Sequence, residues 1–246
     1  MRFEFNAPIR CGLAFKDGIH SIIASPSLGR MRVERRGANL RVHVSWRKEY
    51  RNAEVWFRMK DGELVKRAIS RSAALSAKLD VPWANRVAKV QLLAEGRQGP
   101  KVLAERWLHV TKDAPLKTDS PDAWLADLRR RAHVPLQVRR NELIDAASKA
   151  HARHMCESGH VVHNLGDGDV EERLKRYGLI ARKVGEVISR APTLNDALQG
   201  LAESPSHHAT LIDKDLTDWG IGVLRGKDGV YCVAIIVAAW PRTIAN

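Results

Sequence analysis

The chain has 246 residues, 44% hydrophobic and 28% charged, the balance of a globular protein long enough for two domains. No 18-residue apolar run occurs, so no transmembrane helix is expected; the longest candidate, VYCVAIIVAAW at 230–240, reads as a buried strand. The net charge of +13 is uneven: residues 1–110 hold 22 Lys+Arg against 10 Asp+Glu, while residues 111–246 hold 19 against 18 and seven of the ten histidines. Two halves of such different ionic character predict two domains with different work.

The opening MRFEFNAPIRCGLAFKDG carries charges through its apolar residues, so no signal peptide is expected within it. A cytosolic chain and an exported chain lacking its leader both remain open. Cys11, Cys156 and Cys232 are too few and too scattered for a disulfide framework. They are expected to act as small buried apolar residues, with at least one thiol unpaired within the chain.

Residues 39–46, NLRVHVSW, alternate strictly between apolar and polar, the pattern of a half-buried strand. AEVWFRM at 53–59 and LVKRAI at 64–69 flank KDGE, where Asp61-Gly62 signals a hairpin. RVAKVQLLAEG at 86–96 and AERWLHVT at 104–111 add two strands, with Gly96 and Gly99-Pro100 at the turn. Short strands at this spacing predict an all-β sandwich over residues 1–111, with the immunoglobulin-like type as one form. Its outward positions are rich in arginine: Arg32, Arg35, Arg36, Arg41, Arg47, Arg51, Arg58 and Arg67. That surface suits a polyanion such as a glycan, an anionic envelope face or a nucleic acid; a plain solvated face is the alternative, and no nucleic-acid motif is present.

Residues 112–122, with two prolines and no apolar period, read as a linker. DAWLADLRRRAHV at 122–134 is expected to be helical, with Pro121 near its start. Residues 139–158 read as a longer helix with Leu143, Ala147, Ala150 and His154 on its buried stripe, stopped by Gly159. His154 is therefore expected at a core or boundary position, and His160 near the helix end. Asp169 caps a short helix, KVGEVIS at 183–189 reads as a strand, and Thr193 caps TLNDALQGLAES. Ser204-Pro205 opens another short helix, which speaks against a serine nucleophile at Ser204 or Ser206. Residues 218–224 and 230–239 form a hairpin, whose second strand is apolar on both faces and so lies centrally in a covered sheet.

Five pieces occur in order: Leu143, Ala146, Ala147, His151, Ala152 and Met155 in the long helix; GHVVHNLGDGDVEERLKRYG; VGEVI; SPSHHATLI; and WGIGVLRGKDGVYCVAIIVA. With these pieces, residues 124–240 resemble the CAP superfamily, the SCP-like extracellular domain. The resemblance implies an α-β-α sandwich over 123–246 and a packing position for His151. It also implies a cleft lined by His163, Glu186 and His207, and an extracellular or envelope location of bacterial type. Two imidazoles and a carboxylate can hold zinc or another divalent metal with one position open. The chain departs from the family at Val187, Leu201 and His208, and Glu203 lies nearest to where some members add a second glutamate. Three functions follow: a binding module with a metal-capable cleft and an unassigned ligand, a metal-dependent hydrolase with Glu186 as base, or a structural interaction protein with a vestigial cleft.

Overall fold

The computed structural model describes residues 9–16, 19–26, 28–69, 75–109, 116, 120–136 and 138–241, with side chains described from residue 28 onward. Among the described residues the first half contains nine strands: β1 (Ile9–Lys16), β2 (Ile19–Pro26), β3 (Gly29–Arg36), β4 (Asn39–Trp46), β5 (Arg51–Met59), β6 (Leu64–Ala68), β7 (Ser76–Val81), β8 (Val87–Gly96) and β9 (Gly99–Trp107). β1 and β2 form a hairpin, and the others form two antiparallel sheets, ordered β3-β4-β7 and β6-β5-β8-β9.

The alternation in NLRVHVSW explains how these sheets meet. Leu40, Val42 and Val44 are buried against Val55, Phe57 and Met59 of β5, Val90 and Leu92 of β8, and Leu103 of β9. Each large side chain so buried contributes about 1.5–3 kcal/mol relative to exposure. The expected β5–β6 hairpin forms, and Gly62 sits at φ +89° in its turn, a conformation that costs glycine little. Patterning did not identify β3 or β7. Both are rich in charged and half-exposed residues, as suits strands covered on one face only.

The second half consists of α1 (Pro121–Arg131), β10 (Arg139–Arg140), α2 (Glu142–Ser158), α3 (Val170–Arg176), β11 (Lys183–Ala191), α4 (Leu194–Glu203), α5 (Pro205–Leu211), β12 (Asp218–Arg225) and β13 (Tyr231–Ala239). The sheet order is β10-β12-β13-β11, which places the apolar β13 inside as expected. Its Val233, Ile235 and Val237 face a core shared with Trp124, Leu128, Leu198, Leu201 and Leu211 of α1, α4 and α5. The alternate residues Ile236 and Ala238 meet Ile144, Ala147 and Leu174 of α2 and α3, while Cys232 and Ala234 meet Ala152 and Met155 of α2. Helices thus cover both faces of the sheet. A Cβ on Gly220 or Gly222 would lie 2.4 Å from the α2 backbone, so these two glycines let the helix rest directly on β12.

Three expectations need correction. The long helix starts at Glu142, not at 139: the Asn141 side chain accepts from the Leu143 and Ile144 amides, and Arg139–Arg140 pair in parallel with β12. Its buried face is Ile144, Ala147, Ser148, His151, Ala152 and Met155, about one residue round from the expected stripe, so Leu143 and His154 are exposed. Cys156 and Cys232 are not free thiols but a disulfide, with Cα atoms 5.7 Å apart, tying α2 to β13. The side chain of Cys11 and most of the expected linker lie outside the described residues. Leu116 is buried in the second-half core, and Ser120 caps α1. No helix among the described residues is long and apolar enough to cross a membrane.

Candidate functional site

The site is assembled around the Glu186 carboxylate. On β11, Val187 turns into the core beneath α1 and α4, which leaves Glu186 facing the opposite layer. Its side chain is 2% exposed, as is that of Arg173 from α3, and Arg173 Nη2 donates to Glu186 Oε1. The other oxygen, Oε2, accepts from His163 Nδ1 at 2.9 Å. A carboxylate only accepts, so His163 donates from Nδ1. Arg173 Nη1 also binds the backbone oxygens of His163 (2.8 Å) and Gly168 (2.7 Å), which fixes the loop carrying His163.

A second pair stands behind the first. His151, fully buried, bonds Asp167 Oδ2 through Nδ1 at 2.9 Å and faces the Val162 carbonyl through Nε2 at 3.1 Å. Both partners are acceptors, so only the doubly protonated ring satisfies both contacts at once. His151 Nε2 also lies 4.0 Å from Glu186 Oε2, and Arg173 Nη1 lies 3.7 Å from Asp167. Burial alone would raise the Asp167 carboxyl. The His151 hydrogen bond, the Leu165 amide and the His151 and Arg173 charges outweigh it and hold it at about 2. Burial likewise opposes ionisation of Glu186. The His163 hydrogen bond and the charges of Arg173, His151 and His163 prevail, leaving it below the ordinary glutamate value.

His207 comes from α5. It keeps a partly exposed edge, yet protein surrounds most of the ring. This enclosure, followed by the charges of His163 and Lys89, lowers it to about 3, so the ring is neutral at pH 7. It is near enough to His163 and Lys89 to feel both, and it has no hydrogen-bond partner among the described residues. His163 and Glu186 therefore meet directly, and His207 lies within electrostatic range of His163. Both Glu186 oxygens are already engaged, and no group of three His, Cys, Asp or Glu among the described residues is placed to hold a metal ion. Glu186 is arranged instead to orient His163.

The remaining histidines have other duties. His208 donates from Nδ1 to the Ala202 carbonyl at 2.8 Å, His154 bonds Asp167 from the surface at 3.3 Å, and His160 is exposed. Glu203 accepts from Gln199 at 2.8 Å. Leu201 and Val187 are core residues, so these departures from the family pattern serve packing.

The first half walls this site. Gln91 of β8, fully buried, donates to Ser204 Oγ at 2.9 Å and accepts from Ser206 Oγ at 2.8 Å and Ser206 N at 3.2 Å. The Gln98 carbonyl in the β8–β9 turn accepts from the His163 and Asn164 amides at 3.0 and 3.2 Å. Gly99 sits at φ +96°, and a Cβ there would come within 2.7 Å of His163 Cβ. Arg58, expected to point into solvent, instead reaches the Ala202 carbonyl. Sequence reasoning assigned no role to Arg173, Asp167, Lys89 or Gln91. The signal for the last two was present, since they are polar residues two apart in the otherwise apolar run VAKVQLLA.

The CAP family profile, described as the cysteine-rich secretory protein family, matches residues 125–238. Among solved structures, an outer surface protein from Borrelia burgdorferi is 19% identical at a TM-score of 0.46, covering 49% of this chain and 90% of that one. An extracellular protein containing an SCP domain from Bacillus anthracis str. Ames is 15% identical at 0.44, covering 85% of this chain and 67% of that one. Schistosoma mansoni venom allergen-like protein 4 is 11% identical at 0.33, covering 50% and 91% respectively. No curated protein matches the chain in sequence. The family model thus marks residues 125–238 as a CAP domain.

Proposed function

We propose that the protein is an exported or envelope-associated CAP-domain binding module, with its first half, read as a β-sandwich, serving as the attachment unit. The observation that carries this reading is the state of Glu186. A general base works best with a proton affinity near the operating pH, whereas this carboxyl is held low by Arg173 and His163. That favours recognition over hydrolysis. The Cys156–Cys232 bond suits an oxidising compartment, in keeping with a family described as secretory. Attachment is assigned to the exposed Arg30, Arg32, Arg35 and Arg36 of β3, where Glu34 is the one acidic residue, and its partner is a polyanionic glycan or envelope face.

The test has two readouts on the full chain. Ester, peptide and glycan probes, with and without added zinc, are expected to show no turnover that depends on Glu186; turnover abolished by Glu186→Gln would establish the hydrolase instead. On a heparin column, replacing the four arginines by glutamine is expected to lower the eluting salt concentration. Unchanged elution would remove the attachment role.

A further inference from the structure

The wall supplied by the first half carries a charge. Lys89 lies two residues before Gln91 on β8, and both side chains reach Glu105, at 3.0 Å for Lys89 and 3.4 Å for Gln91, so they share one face of the strand. Gln91 on that face grips Ser206, the residue immediately before His207. Lys89 is only 3% exposed, and its ammonium lies 4.7 Å from the centre of the Trp107 ring. A buried ammonium, held by Glu105 on one side and Trp107 on the other, thus shares with Gln91 the strand face that meets the segment carrying His207. His163 is clamped from the same direction by Gln98 and Gly99.

We propose that Lys89 is a specificity-determining residue: the first half places its own cation against the histidine pair and so closes the CAP cleft to divalent metal ions. The Lys89 side chain is 4% exposed while that of its partner Glu105 is 42% exposed and screened by solvent, so the ammonium's charge is only partly offset and repels a bound dication. Glu186 cannot offset this, because Arg173 and His163 already engage its two oxygens. The cleft therefore rejects the ligand that its two histidines alone would attract, and does so with a residue from outside the CAP domain.

The experiment is zinc titration of the intact chain by calorimetry. The wild type and Lys89→Arg are expected to show no saturable site. Lys89→Met keeps the length and the packing on Trp107 but removes the charge, and Lys89→Gln does so with a polar end. Each is expected to gain a one-to-one site at least tenfold tighter than any wild-type binding, lost again on adding His207→Ala. Stoichiometric zinc binding by the wild type would overturn the proposal without any variant. It would also fall if both neutral variants fold, as judged by circular dichroism, and still bind no zinc. Heparin retention reads the β3 arginines and is unaffected by either result, so failure here and failure of the attachment reading are distinguishable.

Discussion

Replacing Glu186 by glutamine tests the central assembly most directly. The substitution keeps shape and volume but removes the charge that neutralises Arg173. Both side chains are 2% exposed, so water cannot take over the carboxylate's role. Removing one partner of a buried ion pair costs about 3–5 kcal/mol, because the other charge stays buried without compensation. Asp167, 3.7 Å from Arg173 Nη1, and the carbonyls of His163 and Gly168 remain to support the guanidinium. These place the expected loss at the lower end, about 3 kcal/mol. With a urea slope of about 3 kcal/mol/M, the unfolding midpoint should fall by about 1 M. The change can be followed by tryptophan fluorescence, since Trp124 and Trp219 are buried in the same domain. Adding Arg173→Met should recover part of the loss, as the lone charge is then gone. A Glu186→Gln loss below about 1 kcal/mol, or a double variant less stable by the sum of the two singles, would show that the pair is not the electrostatic centre of the domain.

Other outcomes follow from the same structure. Gln91→Ala strands two buried serines, and at about 1 kcal/mol or more per lost bond it should cost about 2–4 kcal/mol in urea unfolding. Gly99→Val should destabilise the chain and speed amide exchange at His163 and Asn164, because a side chain at φ +96° is strained and meets His163. Breaking Cys156–Cys232 with Cys156→Ser and Cys232→Ser releases a loop spanning a sequence separation of 76 residues, for a loss of about 4 kcal/mol from chain entropy. Asp167 is held at about 2 against an ordinary value of 3.8, so its contribution is complete above pH 4 and disappears as pH falls toward 2. The loss should amount to about 2 kcal/mol in pH-dependent denaturation, and Asp167→Asn should flatten that limb.

Much of the fold could be read from local pattern because local physics decided it. The alternation in NLRVHVSW, the Asp61-Gly62 turn, the Asp169 cap and the doubly apolar β13 each needed only near neighbours in the chain. The α2 stripe was misplaced because small residues on both sides of the helix blur its apolar arc, and only close contact with Gly220 and Gly222 fixes the rotation. At the site, His163 and Glu186 emerged through family resemblance rather than spacing. Their true partners did not, because Arg173 and Asp167 look like ordinary surface charges in a helix and a turn. Arg58 shows the converse: outward by strand parity, it found a carbonyl in the other half. The disulfide joins positions separated by 76 residues, a pairing that no count of three cysteines reveals.

The amide of Gln91 has a practical consequence for dissecting this protein. Expressed alone, the CAP segment would present Ser204, Ser206 and the flank of His207 to solvent, a face that the intact chain keeps dry. Ligands captured by such a fragment would report on a surface created by the cut. Screens for the natural partner therefore belong on the undivided molecule, whose outer contour is the one the surroundings meet.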